Sequence, residues 1–291
     1  MTMISQLLIA TAATCWGLTG VFTRQLYAAG LSYFEIAAVR AAIAAVCLLV
    51  FLLLTNRKSL KFRIKDIWLF LLMGVFGGAM MSTLYFYTIE MITLSAASIL
   101  LYTAPYMVMA MSAFVFKEKI TPQKLAALFV AFTGCLMTVG FIDSSGLSKI
   151  GIAAGIMSAF LYALNTILAK LALRTYSPFV ISTYAFTIAS FILIPLCDFG
   201  RVITLAFGDV IILKNILLLG FFIAVLPAIC YYKGLEKTEP SRASIISFVE
   251  PLSAAAAGFV VFEEILSPVK ILGMVLILVS LVILNLHGRK R

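Results

Sequence analysis

The chain has 291 residues, of which 63% are hydrophobic and only 12% charged. So few polar side chains cannot cover a water-facing surface, which excludes a soluble globule as well as a disordered chain. The net charge of +10 would point to nucleic acid in a soluble protein, but in a membrane protein it follows from the basic bias of cytoplasmic loops.

Apolar runs broken by charged or turn-forming clusters predict ten spans, at 4–28, 33–54, 67–89, 96–115, 121–142, 150–173, 179–197, 211–231, 243–262 and 268–286. At about 20 residues per span they leave no room for a soluble domain. The first run does not read as a signal peptide, because its first basic residue is Arg24 and no small-residue cleavage site follows. With the N-terminus in the cytoplasm, sixteen of the 22 Lys and Arg fall in inside segments and five outside, with Arg40 inside a span. The expected fold is an all-α integral membrane protein of ten transmembrane helices with both ends in the cytoplasm.

The chain also matches itself at an offset of 146 residues without a gap. Gly74 falls on Gly220, Tyr85 on Tyr231, Glu90 on Glu236, Pro105 on Pro251, Glu118 on Glu264 and Pro122 on Pro268. Ser95, Ala97, Ser98 and Ile99 fall on Ser241, Ala243, Ser244 and Ile245, while Trp16 falls on Tyr162 and Arg24 on Lys170. Each half holds five spans, so the second enters the membrane with opposite orientation. Such inverted repeats, related by a pseudo-two-fold axis in the membrane plane, build transporters whose two halves exchange conformations around a midplane site.

Cys15-Trp16-Gly17-Leu18, Arg40-Ala41-Ala42, Pro105 with Glu118-Lys119-Ile120-Thr121, and Glu250-Pro251 with Glu264-Ile265-Leu266-Ser267 carry a family resemblance. The sequence resembles the EamA-type members of the drug/metabolite transporter superfamily over essentially its whole length. The resemblance implies one repeat over 4–142 and a second over 150–286. It also implies a carrier of amino acids, other small metabolites or drugs, mostly outward.

Depth arithmetic selects a candidate site. At 1.5 Å per residue, Trp16 and Tyr162 lie about 18 Å into their spans, level with the two-fold axis, where equivalent residues can face one another. Thr19 and its equivalent Asn165 follow one turn on. Tyr85, Tyr102, Tyr184, Tyr231 and Phe248 are further candidates for the same cavity, with an interfacial aromatic belt as the alternative. Two charges sit inside spans. Arg40 either snorkels outward, pairs with Glu35 or lines the cavity, and Glu250 has no basic residue near it in its own helix. A carboxylate among aromatic rings suits an ammonium group.

Pro105 and Pro251 lie near mid-membrane, where each deprives a carbonyl (Leu101 and Ser247) of its helical partner; a packing kink is one reading, and their repetition in both halves favours a shared hinge or cavity wall. Thr121-Pro122 and Ser267-Pro268 read as capped helix starts. Glu118 and Glu264, three residues earlier, read as structural staples that accept from the amides opening the next helix.

The five cysteines are scattered, and the one histidine, His287, stands near the chain's end, so no metal cluster is expected. Without a nucleophile–base pair, a carboxylate pair or a Walker motif, neither an enzyme nor an ATP-driven pump is expected, and no cofactor. The expected function is a secondary transporter of a bacterial plasma (inner) membrane that exports amino acids or related metabolites. A lipid-carrier flippase or a drug or amine efflux protein of the same fold is the alternative. Expected partners are a small-molecule substrate, the lipid bilayer and, as an open question, a proton. Nucleic acid is not expected, and the expected state is a monomer. The orientation is tested by single cysteines at Ser59 and Ser145 in a background without native cysteines. A membrane-impermeant maleimide added to intact cells should label 145 and spare 59, and the reverse pattern refutes the orientation.

Overall fold

The computed structural model describes residues 3–140 and 148–286. His287, the basic residues after it and Ser145 lie outside the described residues. Among the described residues, ten helices are long and apolar enough to cross a membrane. Spans 1 to 5 are Met3–Ala28, Tyr33–Thr55, Ile64–Met91, Leu94–Phe116 and Pro122–Val139. Spans 6 to 10 are Lys149–Ala172, Pro178–Leu196, Val210–Glu236, Pro240–Phe262 and Pro268–Asn285. No strand occurs among the described residues. Span 8 runs on to Glu236, beyond its predicted end at Tyr231, because Lys233 and Glu236 turn outward in a last turn that needs no hydrocarbon around it.

The helix starts follow local chemistry. The hydroxyls of Thr121, Ser148, Ser177 and Ser267 accept from backbone amides three residues on, and Pro122, Pro178 and Pro268 occupy first turns, where a missing N–H costs nothing. Ser32 and Glu35 form a reciprocal capping box at the start of span 2.

Several spans are irregular, and most of the irregularities repeat. Span 4 breaks between Leu101 and Ala104, and span 9 between Ile246 and Val249, within one residue of the 146-residue offset. Pro105 and Pro251 fall in the first turn of the second piece, so each proline starts a half-helix instead of kinking a continuous one. This changes the expected carbonyl bookkeeping. Ser247 O is not free, since it accepts the Glu250 amide at 3.0 Å, whereas Leu101 O has no backbone donor among the described residues.

Spans 3 and 8 widen into π-helix at Met73–Met80 and Leu219–Val225, again at matching positions. Spans 4 and 9 end on left-handed residues, Lys117 at φ 56° and Glu263 at φ 54°, also 146 apart. Span 1 is interrupted at Leu18, and span 6 is continuous.

Close packing uses small residues, as expected where lipid offers no hydrophobic drive between helices. Gly74 and Gly220, in the two π segments, let Ile188 of span 7 and Ile43 of span 2 approach. Spans 5 and 10 cross where Gly134 and Gly273 meet: a Cβ on Gly134 would lie 2.6 Å from Gly273 O. A short amphipathic helix, Phe199–Gly208, lies between spans 7 and 8, where the first half has only the short 3-10 turns Arg57–Leu60 and Ile64–Asp66. Its Val202 and Ala206 pack on Leu26 and Leu31, and Arg201 donates to Gly30 O at 2.7 Å.

Gly134→Ala should lower the detergent melting temperature by several degrees, since overpacking costs about 1–3 kcal/mol. Gly208→Ala, where a Cβ meets nothing within 4 Å, should not. Equal melting of the two variants counts against the crossing.

Candidate functional site

The helix breaks and π segments surround a cavity of about 560 Å³. Its mouth lies among Arg24, Tyr27, Tyr33, Phe262 and Glu264, on the face that the charge bias makes external. Its floor lies at Met73, Thr166, Ser182 and Tyr232. Of the residues selected from the sequence, Trp16, Thr19, Arg40, Tyr85, Tyr102, Tyr162, Asn165, Tyr231 and Glu250 line it.

Two do not. Phe248 is fully buried behind the wall and lines a side pocket of about 20 Å³ with Tyr102, Pro105, Tyr162, Ser247 and Glu250, room for about one water. Tyr184 belongs to a separate aromatic cluster, with ring centroids 4.8 Å from Phe70 and 5.1 Å from Phe62, and donates to Leu60 O. Six residues into span 7, Tyr184 meets Leu60 and Phe62 from the stretch before span 3, which is the interfacial position that stood as the alternative. Tyr176 completes that cluster and donates to Asp66 at 2.7 Å; burial, together with that bond, pushes its hydroxyl above the ordinary range.

The two-fold pairing exists, but between other partners. Tyr102 and Phe248, equivalent residues at the two helix breaks, lie 5.9 Å apart. Trp16 packs instead on Tyr231, at 5.3 Å, and forms no ring pair with Tyr162. Tyr162 and Asn165 reach the cavity from span 6, and Gly77 makes room for Asn165, whose side chain fills the place of a Cβ there. The Thr19 hydroxyl turns back to Trp16 O across the span 1 break. The Tyr85 hydroxyl meets Ser98 Oγ at 3.2 Å, a partner the repeat had brought forward only as a match.

Glu250 sits in the first turn of the half-helix Val249–Phe262, where the helix dipole favours a carboxylate. The Tyr102 hydroxyl lies beside it. Gly17, next to the span 1 break, packs directly on the Glu250 backbone, with no space for a side chain. Glu250 forms no ion pair among the described residues.

Arg40 forms none either, and neither snorkels nor pairs with Glu35. Glu35 is buried and its carboxylate accepts the Ser32 amide at 2.7 Å, so the capping box uses it up. Arg40 Nε is buried without a hydrogen-bond partner, as are Ser182 Oγ and the Tyr231 hydroxyl on the same cavity wall.

The opposite face is closed by polar contacts. Lys170 donates to the carbonyls of Leu235, Glu236 and Thr238 at 2.6, 3.1 and 2.9 Å. Ser241 donates to Glu118 at 2.6 Å, and Lys124 lies 2.7 Å from Glu239 and 3.8 Å from Glu118. At the mouth, the equivalents of Lys170 and Glu118 meet each other: Arg24 pairs with Glu264 at 2.9 Å and lies 4.5 Å over Phe262. Both glutamates therefore bond to the other half of the chain. They do not serve the next helix start, which Thr121 and Ser267 already cap.

The EamA-like transporter family matches residues 3–140 and again 149–286. The chain belongs to that family. It is 29% identical to an uncharacterized transporter of Archaeoglobus fulgidus over 95% of this chain and 97% of that one. It is 25% identical to the uncharacterized inner membrane transporter YicL of Salmonella typhimurium, over 97% and 95%. A solved crystal structure superposes with a TM-score of 0.80 at 16% identity, covering 98% of this chain and 99% of that one, which shows the fold alone. The cavity is thus that of a membrane transporter.

Glu118→Ala should lower the melting temperature more than Glu264→Ala. The Glu118 and Lys124 side chains are 9% and 4% exposed, whereas Glu264 and Arg24 are 38% and 52% exposed, and exposed pairs contribute at most about 1 kcal/mol. Equal effects in a detergent melt would show that the closed face is not held by this contact.

Proposed function

We propose that this protein is a secondary transporter of the plasma (inner) membrane that exports amino acids or related small metabolites by alternating access. The observation that carries the reading is one cavity, reaching mid-membrane from one face, with an unpaired carboxylate at a helix break among aromatic walls. An ammonium group fits such a place. Its charge meets Glu250 at the start of the half-helix, and the rings of Trp16, Tyr102, Tyr162 and Tyr231 supply cation–π and apolar contact. Relatives named as transporters, one of the inner membrane, support the location and the class.

Alternating access follows from the repeat. Contacts that close the face of Lys170 and Glu118 have equivalents, Arg24 and Glu264, at the open mouth. An exchange of conformations between halves closes the mouth by the same chemistry and opens the other face. Pro105 and Pro251, which open the second pieces of spans 4 and 9, are the hinges of that exchange. The substrate and the coupling ion are then set by side chains on the cavity wall, with Glu250 first among them.

The test is uptake of a panel of amino acids and amines into proteoliposomes, with and without a pH gradient. Trp16→Ala should weaken binding by removing a wall. Glu250→Gln keeps the size and removes the charge, and affinity for amino substrates should fall by about 1.5–3 kcal/mol, the scale of a charge-assisted hydrogen bond. Binding that survives while pH-driven accumulation is lost assigns a proton to Glu250. Wild-type transport, affinity and pH dependence in Glu250→Gln leave the site without its carboxylate and defeat the reading.

A further inference from the structure

We propose that the surface helix Phe199–Gly208 is embedded in the leaflet on the mouth side, with Ile203 and Phe207 among the acyl chains, and that it holds the mouth end of span 1 in place. The partner of this helix is the hydrocarbon of that leaflet.

At about 100° per residue the helix divides into two arcs. Val202 and Ala206 point at the protein, where both are buried. Ile203 and Phe207, one turn apart, continue the apolar arc beyond that contact, and Phe207 is 78% exposed. Gly200, Thr204 and Gly208 form the opposite stripe, with Arg201 at its edge, and a Cβ on Gly208 would meet nothing within 4 Å. An apolar arc wider than the protein contact, beside a stripe of small and polar residues, is the pattern of a helix lying in the interface with one flank in hydrocarbon. The neighbouring spans carry that flank on. Phe191 and Leu196 at the end of span 7 and Val210 and Ile211 at the start of span 8 are exposed. Ile203 and Phe207 therefore extend the surface with which these two spans meet lipid.

The buried flank grips a piece of the mouth. The break at Leu18 separates the half-helix Thr19–Ala28 from the rest of span 1, and Thr19, Thr23, Arg24 and Tyr27 on it line the cavity. Val202 and Ala206 pack on Leu26 and Leu31, and Arg201 donates to Gly30 O. Gly30 is held at φ 92°, and a Cβ there would lie 3.2 Å from the Arg201 guanidinium. At the start of span 8, Asn215 donates to Gln25 at 2.7 Å. The turn between spans 1 and 2 is thus tied to the segment between spans 7 and 8, and through Ile203 and Phe207 to lipid. The repeat shows that neither feature is needed to build a half. Residues 165–172, equivalent to the half-helix, lie inside the continuous span 6, and short 3-10 turns join spans 2 and 3. A span 1 freed by a break and a surface helix that holds it occur together, on the mouth side.

The test uses the full chain without native cysteines, in vesicles of phosphatidylethanolamine and phosphatidylglycerol. Single nitroxide labels at Ile203, Phe207, Thr204 and Gly208 are read by collision with oxygen, which concentrates in hydrocarbon, and with a water-soluble nickel chelate. Labels at Ile203 and Phe207 should favour oxygen at least threefold more than labels at Thr204 and Gly208. Ratios that favour nickel equally at all four positions put the helix in water. Labels at Ile203 and Phe207 shielded from both reagents put protein, such as a second copy of the chain, on that flank. Either result overturns the proposal. Hydrogen exchange in the same lipids reads the hold on the mouth. Phe207→Ser should speed exchange at residues 26–31 at least fivefold, while Phe207→Leu keeps the wild-type rate. Arg201→Gln cuts the tie at its protein end and should act like the serine variant, for which it stands in should that variant not fold. Wild-type exchange in both Phe207→Ser and Arg201→Gln overturns the hold on span 1.

Discussion

Inside a bilayer no water is at hand for an unpaired N–H or C=O, so irregular backbone is stable only where protein or a wet cavity satisfies it. This constraint organises the whole molecule. The breaks at Leu18, at Tyr102–Thr103 and at Ser247–Phe248 and the π segments of spans 3 and 8 all sit at the level of the central cavity. Local repairs take up part of the cost. The Thr103 hydroxyl and amide both reach Leu100 O, the Glu250 amide reaches Ser247 O, and the Thr19 hydroxyl reaches Trp16 O. Leu101, whose carbonyl has no backbone donor among the described residues, lines both the cavity and its side pocket.

The same breaks create the chemistry. Ending span 9 at Ile246 and restarting it at Val249 puts a fresh helix N-terminus at mid-depth, and Glu250 stands in its first turn. Without the break a carboxylate at this depth would have neither the dipole nor the adjacent Tyr102 hydroxyl. Equivalent backbone in span 4 carries Ala104 and Pro105 instead, so the two halves share a skeleton and differ in the groups they present. Tyr102 against Phe248 is a contact between the two skeletons, and this equivalent pair differs by a hydroxyl.

Much of this was legible in the sequence because the signals were periodic or chemical. Ten apolar runs, the offset of 146 and the Ser/Thr-Pro helix starts gave the spans and the two halves. Nine of the selected side chains reach one cavity because depth along a helix is simple arithmetic. Direction around the helix axis is not: Phe248 lies at a sound depth but behind the wall, and Trp16 faces Tyr231, not Tyr162, while Tyr184 lies nearer the interface, as its alternative reading allowed. The π segments leave only glycines as a trace, and Gly74, Gly77 and Gly78 read equally well as ordinary close packing. The break at Leu18 has no proline to announce it. Glu118 and Glu264 were placed rightly at helix ends, but their partners belong to the other half of the chain, which no local pattern can show.

The difference between the two ends of the cavity has a scale. On the closed face Lys170 replaces its hydration with three carbonyls at the end of span 8, a set of fixed acceptors that repays much of its desolvation. At the mouth Arg24 meets one exposed carboxylate and one ring, contacts that water screens. The carbonyls equivalent to those held by Lys170 are those of Ile89, Glu90 and Ile92, at the mouth end of span 3. The equivalent residues thus form a lock at one end and a loose latch at the other, and the few kilocalories between such arrangements are of the size a bound substrate can supply through its differential contacts with the two states. A carrier needs that balance. If the closed face were held much more firmly, substrate could not shift it; if less firmly, the cavity would open to both sides at once.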